Sequence, residues 1–314
     1  MSTTSTVKFF ATDKAGNAEA VKSQAIQIDP AAPATAISCN GAACSAGWYK
    51  ANVTVSLAAT DTGGSGVDKI YYTTNGSTPT TASTVYTAPF TVGATSTVKF
   101  FATDKAGNAE AVKSQAVQID KTAPATAISC NGAACSAGWY RATPVTVTLT
   151  ATDTGGSGAP VTAYTTDGTD PRTSATAKVY SGPFTAPQTV TVRYYSADAA
   201  GNLETTKSQQ IRIDAAAPTV SITAPSSGSS FTRGTRVTIT ATAADSGTGS
   251  GAASGVASVA FFLDGKSLGT DTSSPYSVSW NTQSATIGTH TLTAVATDAA
   301  GNSTTSAAIT VTIR

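Results

Sequence analysis

The run "VTVTLTATD" at residues 145–153 alternates without a break. Val145, Val147 and Leu149 fall on one side, and Thr146, Thr148 and Thr150 on the other. A period of two is that of a strand with one dry face and one wet face. Similar β-branched runs recur along the chain, cut by clusters of Gly, Asn, Asp and Pro. No apolar stripe at helical spacing occurs. Seven or so short strands per repeat of about 90 residues is the pattern of an immunoglobulin-like β-sandwich. The expected fold is therefore all-β: tandem immunoglobulin-like β-sandwiches in an extended array.

The repeats are explicit. Residues 4–25 recur unchanged at 95–116, and residues 34–49, "ATAISCNGAACSAGWY", recur unchanged at 125–140. Two separate blocks at one offset define a tandem module. "IDPAAP" at 28–33, "IDKTAP" at 119–124 and "IDAAAP" at 213–218 mark the joints, where proline disfavours helix. The expected modules are 34–122, 125–216 and 219–314. Residues 1–30 match only the tail of a module. They are expected to be either a cut tail or a hairpin that completes another molecule's sheet, since a lone hairpin is marginal in water.

A chain of 314 residues fits two to four domains. Charged residues are only 12% and the net charge is +1. That gives no electrostatic purchase on nucleic acid or an acidic membrane. No apolar run reaches the roughly 20 residues needed to span a bilayer, so no membrane insertion is expected.

The phrase "ATDKAGNAE" at 11–19 and 102–110 returns as "SADAAGNLE" at 196–204 and "ATDAAGNST" at 296–304. It reads as the turn of each module's last hairpin, with Val98, Phe100 and Ala102 facing inward. Asp104 can accept turn N–H groups, Gly107 can take positive φ, and Asn108 tolerates the same region.

The stretches "IYYTTNGSTPTTASTVYTAPFTV" and "AYTTDGTDPRTSATAKVYSGPFT", each with its following hairpin, resemble the chitobiase/β-hexosaminidase C-terminal type of domain. The last module is similar to bacterial Ig-like repeats. The resemblance implies accessory modules of secreted bacterial proteins, with no catalytic residues to carry over.

Four cysteines occur in two identical pairs. Cys39 and Cys44 bracket "NGAA", as do Cys130 and Cys135, and Asn-Gly favours a turn that brings the sulfurs together. Local disulfides are expected, and these persist in an oxidising compartment. The chain is accordingly expected to be secreted or at a cell surface. A shared zinc site would need further ligands, and no histidine lies near either pair.

Catalytic sets are hard to assemble. The one histidine, His290, sits on an expected strand and has no G-x-S-x-G partner. Glu19, Glu110 and Glu204 all follow the repeated turn, which is not the arrangement of paired carboxylates in one cleft. "SGTGSGAASG" at 246–255 lacks the Lys-Ser/Thr of a phosphate loop. The chain is read as non-enzymatic.

The aspartates recur at three places per module. Asp61, Asp153 and Asp245 open a Gly/Ser-rich loop. Asp104, Asp198 and Asp298 open the hairpin turn. Asp29, Asp120 and Asp214 precede the linker prolines. These are candidate calcium ligands, since hard oxygens converging at a joint suit Ca²⁺; the other reading is that Asp is a good turn residue. No other cofactor is expected.

The candidate ligand-binding aromatics are Trp48, Tyr71, Phe101, Trp139 and Tyr195. Trp48 and Trp139 are set against Phe231 as the equivalent residue of the last module, which favours an apolar plug over a sugar platform. Phe101 and Tyr195 fall on the nominally wet face, where a loop or a ligand could cover them. Two function classes follow: a spacer or adhesion array, and carbohydrate-binding accessory modules of a secreted polysaccharide-degrading enzyme. The expected partner is a polysaccharide or cell-surface ligand, and the chain is expected to be a monomer.

Overall fold

The computed structural model describes residues 4–141, 143–158, 160–247 and 252–314. Among these the regular elements are strands, apart from one short 3-10 turn at Thr282–Ser284. The loop "SGTGSGAASG" at 246–255 lies partly outside the described residues. No helix of the described residues is long and apolar enough to cross a membrane.

Two compact units divide the chain. One comprises residues 1–124, 153–160 and 197–203; the other comprises 125–152, 161–196 and 204–314.

In the first unit, β1 (Ser5–Phe9) and β2 (Lys22–Ile26) form a two-stranded sheet. Next come β3 (Ala34–Cys39), β4 (Trp48–Tyr49), β5 (Val53–Thr60), β6 (Val67–Thr73), β7 (Thr84–Val85), β8 (Phe90–Val92), β9 (Ser96–Asp104) and β10 (Lys113–Ile119). They make a three-stranded sheet, β3-β5-β8, and a five-stranded sheet, β4-β10-β9-β6-β7. Val53, Val55 and Leu57 of one sheet share a core with Ile70, Val98, Phe100 and Ala102 of the other. The alternation of apolar and hydroxyl residues decides which face is buried, because a one-residue slip would turn every valine to water.

In the second unit the same plan recurs. The strand Val145–Thr152 pairs with Ala125–Cys130 and with Phe184–Ala186, and Val145 and Val147 are fully buried. The facing five-stranded sheet is built on Val190–Ala197 and Lys207–Ile213. The last strands pack Phe261, Trp280, Tyr276, Leu292 and Ile313 into a separate core. Its Asp264-Gly265 turn has φ of 50° and 78°, the left-handed pair that a two-residue hairpin demands.

Both disulfides form as the spacing predicts. Cys39–Cys44 and Cys130–Cys135 each have Cα atoms 4.8 Å apart. Asn40 and Gly41 supply the two left-handed residues of the loop. Closing so short a loop contributes about 2 kcal/mol in the chain-entropy picture.

Candidate functional site

The three recurring aspartates meet. Asp29, Asp61 and Asp104 form one triad, Asp120, Asp153 and Asp198 a second, and Asp214, Asp245 and Asp298 a third; in each, one oxygen per residue lies within 4.8 Å of the others. One comes from the linker, one from the Gly/Ser loop and one from the hairpin turn.

Backbone N–H groups hold these carboxylates in place. In the second triad, Ser157 N donates to Asp120 Oδ2 at 3.0 Å, Gly158 N to Asp153 Oδ2 at 2.8 Å, and Asn202 N to Asp198 Oδ1 at 2.8 Å. The first triad repeats this with Ser65, Gly66 and Asn108. The third does so with Ser254, Gly255 and Asn302. The turn-former role of Asp is therefore real, and it coexists with convergence of the carboxylates.

Two features of the site escaped the sequence reading. The turn asparagine matters for its amide and does not adopt positive φ. Asn108 Nδ2 donates to Asp104 Oδ2 at 2.7 Å and to Asp29 O at 2.8 Å. Asn202 and Asn302 pin Asp120 O and Asp214 O in the same way, each at 2.9 Å. The signal was the asparagine after glycine in every copy. The second feature is close approach. A Cβ on Gly63 would overlap Asp29 Oδ1, and one on Gly155 would overlap Asp120 Oδ1. These glycines are required by space.

Burial alone would raise the Asp120 pKa, but hydrogen bonds from Ser157 and Thr122 outweigh it and hold the carboxyl at about 2. Asp29 is lowered chiefly by Ser65. For Asp104 and Asp214, burial again opposes ionisation, and donors from Asn108 and Ser254 respectively win. Carboxylates gathered within 4.8 Å of one another repel. A hard divalent cation seated among the three would reverse that sign.

Glu110 and Glu204 serve as structural clamps. Thr35 N donates to Glu110 Oε2 at 3.0 Å while Lys113 Nζ donates to Thr35 O at 2.7 Å. Glu204 and Lys207 hold Thr126 likewise.

The candidate aromatics separate. Tyr71 and Phe101 stack with centroids 5.3 Å apart and are only 6% and 7% exposed, so neither offers an open face to a sugar ring. The reading of these two as ligand platforms is corrected accordingly: they cover each other on the sheet's outer face. Arg172 lies 5.0 Å over the Tyr195 ring and donates to Glu204 O, capping that face as well. Trp48 and Trp139 are half-buried. Their equivalence to Phe231 does not hold. Phe231 pairs with Ile313 as Tyr49 pairs with Ile119 and Tyr140 with Ile213, so Phe231 takes the tyrosine's place. Phe231 packs on a core, as Tyr49 and Tyr140 do. Trp48 instead approaches Gly156, beside the second triad.

His290 is satisfied, and both its ring nitrogens face acceptors: Asp264 Oδ2 at 2.6 Å and Thr286 O at 2.8 Å. Hydrogen bonding to Asp264 and then to Thr286, against burial, raises its pKa above the ordinary 6.5. The protonated ring thus stabilises the fold fully below about pH 6.5, and that contribution is lost as pH rises through the raised folded value. The unfolding midpoint of the last module, followed by Trp280 fluorescence with Trp48 and Trp139 replaced by Phe, is expected to fall across that window. His290→Gln is expected to flatten the profile; an equally steep profile in that variant would refute the assignment.

Family comparisons agree with this architecture. Residues 44–114 and 136–208 match the chitobiase/beta-hexosaminidase C-terminal domain. Residues 218–294 match a bacterial Ig domain, and residues 2–30 match a bacterial Ig-like domain. No curated protein matches the chain. Among solved structures, Clostridium thermocellum CbhA fibronectin(III)-like modules align at 26% identity, over 30% of this chain and 94% of that one, with TM-score 0.26. A tetra-tandem repeat from the extending region of a large adhesion protein aligns at 20% identity, over 99% and 82%, with TM-score 0.37. The N-terminal eight Ig domains of Down Syndrome Cell Adhesion Molecule align at 13%, over 99% and 40%, with TM-score 0.45.

Proposed function

For a chain that consists of tandem bacterial immunoglobulin-like modules, two of them of the chitobiase/β-hexosaminidase C-terminal type, we propose a non-catalytic extracellular role as a spacer, stalk or adhesion array within a secreted or surface protein. Repetition carries this reading. The same turn, linker and acidic triad occur three times, whereas an active site needs one unique constellation. Two local disulfides suit an oxidising compartment.

Calcium at the triads belongs to the same proposal, since it would fasten each linker aspartate to the two loops beside it. Melting in excess Ca²⁺ against chelator is expected to differ by about 2.7 kcal/mol at a hundred times the dissociation constant. Superimposable melts would discard calcium and leave the aspartates as turn formers.

Half-buried Trp48 and Trp139, repeated at one place, favour a second reading: carbohydrate-binding accessory modules that gain avidity by repetition. Affinity electrophoresis on chitin, cellulose, xylan and starch separates the two. The spacer reading expects no retardation; retardation lost in Trp48→Ala would replace it with the carbohydrate reading.

A further inference from the structure

The dipeptide Asn-Gly occurs three times, at residues 40–41, 75–76 and 131–132. Glycine has no side chain to shield its nitrogen, so here a backbone N–H reaches the preceding side-chain amide with least hindrance. The three settings differ. Asn40 and Asn131 lie in the disulfide loops, at φ of 52° and 51°. Each is held twice by one residue of the neighbouring strand. Asn40 N donates to Thr54 O and Thr54 N to Asn40 Oδ1, both at 2.8 Å, and Asn131 does the same with Thr146.

Asn75 is exposed on the loop after β6. Its side-chain oxygen accepts from Ser77 N at 3.0 Å and from Ser77 Oγ at 2.6 Å. Two donors on one carbonyl oxygen polarise the amide carbon and stabilise the oxyanion that an attack on it creates. Gly76 has φ of 77°, and its N–H donates to Thr97 O at 3.0 Å. That single bond must open before the nitrogen is free.

The second module shows where such an attack ends. There the same turn reads Asp167-Gly168-Thr169. Thr169 N and Thr169 Oγ1 donate to Asp167 Oδ1 at 3.0 and 2.6 Å, and Gly168, at φ of 79°, donates its N–H to Thr191 O at 3.0 Å. Thr165 Oγ1 donates to Thr169 O as Thr73 Oγ1 does to Ser77 O, each at 2.6 Å. Every bond of the Asn75 turn has its match, so aspartate fits this turn without rearrangement. Hydrogen bonds from Thr169 and then Thr176 hold the Asp167 carboxyl at about 2, which leaves it charged at neutral pH.

We propose that Asn75 is a self-modification site, where water converts the asparagine to aspartate and gives the first module the charged turn that the second carries in its sequence. Hydroxide takes the Gly76 N–H proton, and the nitrogen bonds to Asn75 Cγ. The Cγ–Nδ2 bond breaks, and Nδ2 takes a proton from water and leaves as ammonia. Water then adds at Cγ and breaks its bond to Gly76 N, which regains its proton. The sum is one water consumed, one ammonia released and one carboxyl group gained.

The test incubates the full chain at mildly alkaline pH and follows all three sites by peptide mass spectrometry. In denaturant with the disulfides reduced, the three are expected to convert at similar rates. In the native chain Asn75 is expected to convert at least about tenfold faster than Asn40 and Asn131, whose loops open against more bonds. Ser77→Ala is expected to slow Asn75 at least about threefold, the worth of one hydrogen bond to the oxyanion; a Ser77 that merely restrains the loop would give acceleration instead. Aspartate is expected to exceed isoaspartate, because isoaspartate lengthens the main chain just ahead of the N–H bonded to Thr97 O. Asn75→Asp is expected to leave the melting midpoint unchanged. Equal native rates at the three sites, faster conversion in Ser77→Ala, isoaspartate as the main product, or a lowered midpoint in Asn75→Asp each overturns the proposal.

Discussion

Replacing Phe261 by Ala is expected to destabilise the last module by about 3–5 kcal/mol. Phe261 is completely buried, in a core shared with Trp280, Tyr276 and Leu292. Truncation removes its transfer free energy and leaves a cavity, because the two sheets are held apart by their other side chains and cannot collapse onto it. Denaturant unfolding followed by Trp280 fluorescence, with Trp48 and Trp139 replaced by Phe, reports on this module, since Trp280 lies in the same core. The other modules have separate cores, so the chain is not expected to unfold in one step. Ile287→Ala is the control: Ile287 is 72% exposed, and a change below about 0.5 kcal/mol is expected. A midpoint for Phe261→Ala as close to wild type as that of the control would mean that the core is wrongly described.

The second large effect is expected from Asn302→Ala, about 3 kcal/mol. The side chain donates to Asp298 Oδ2 at 2.8 Å and to Asp214 O at 2.9 Å. Both aspartates are 2% exposed, and Asn302 itself is 8% exposed. Its loss removes a hydrogen bond to a charged acceptor and leaves a buried carbonyl without that donor. The hairpin of β1 and β2 provides an internal comparison. Asn17 Nδ2 donates to Asp13 Oδ2 at 2.9 Å in the same turn, but at the surface. There water replaces the amide, and Asn17→Ala is expected to cost only a few tenths of a kcal/mol. Equal effects at the two positions, measured by chemical denaturation and hydrogen exchange, would show that the asparagine acts only within its own turn. If calcium binds the triad as proposed, Asn302→Ala is also expected to weaken the stabilisation it gives, because the amide fixes where Asp298 and the linker at Asp214 stand.

Much of the architecture was legible in the chain itself. Alternation in "VTVTLTATD" places Val145, Val147 and Leu149 inside, and their exposures are 0%, 0% and 4%. Repeats, turn positions and the two cysteine pairs were equally plain, because each depends on residues near one another in sequence. The aspartates could be grouped by recurrence, but their meeting could not be derived. Asp120, Asp153 and Asp198 lie on three separate loops, and their convergence depends on how those loops pack.

Local order thus determined the strands, the hairpin turns and the short disulfide loops, since backbone period and turn chemistry are set within a few residues. Tertiary structure alone decided the rest. It stacked Tyr71 on Phe101 and set Arg172 over Tyr195, and it turned Glu110 into a clamp on Thr35. Burial is a property of what packs against a strand, and no strand carries its neighbours in its own sequence.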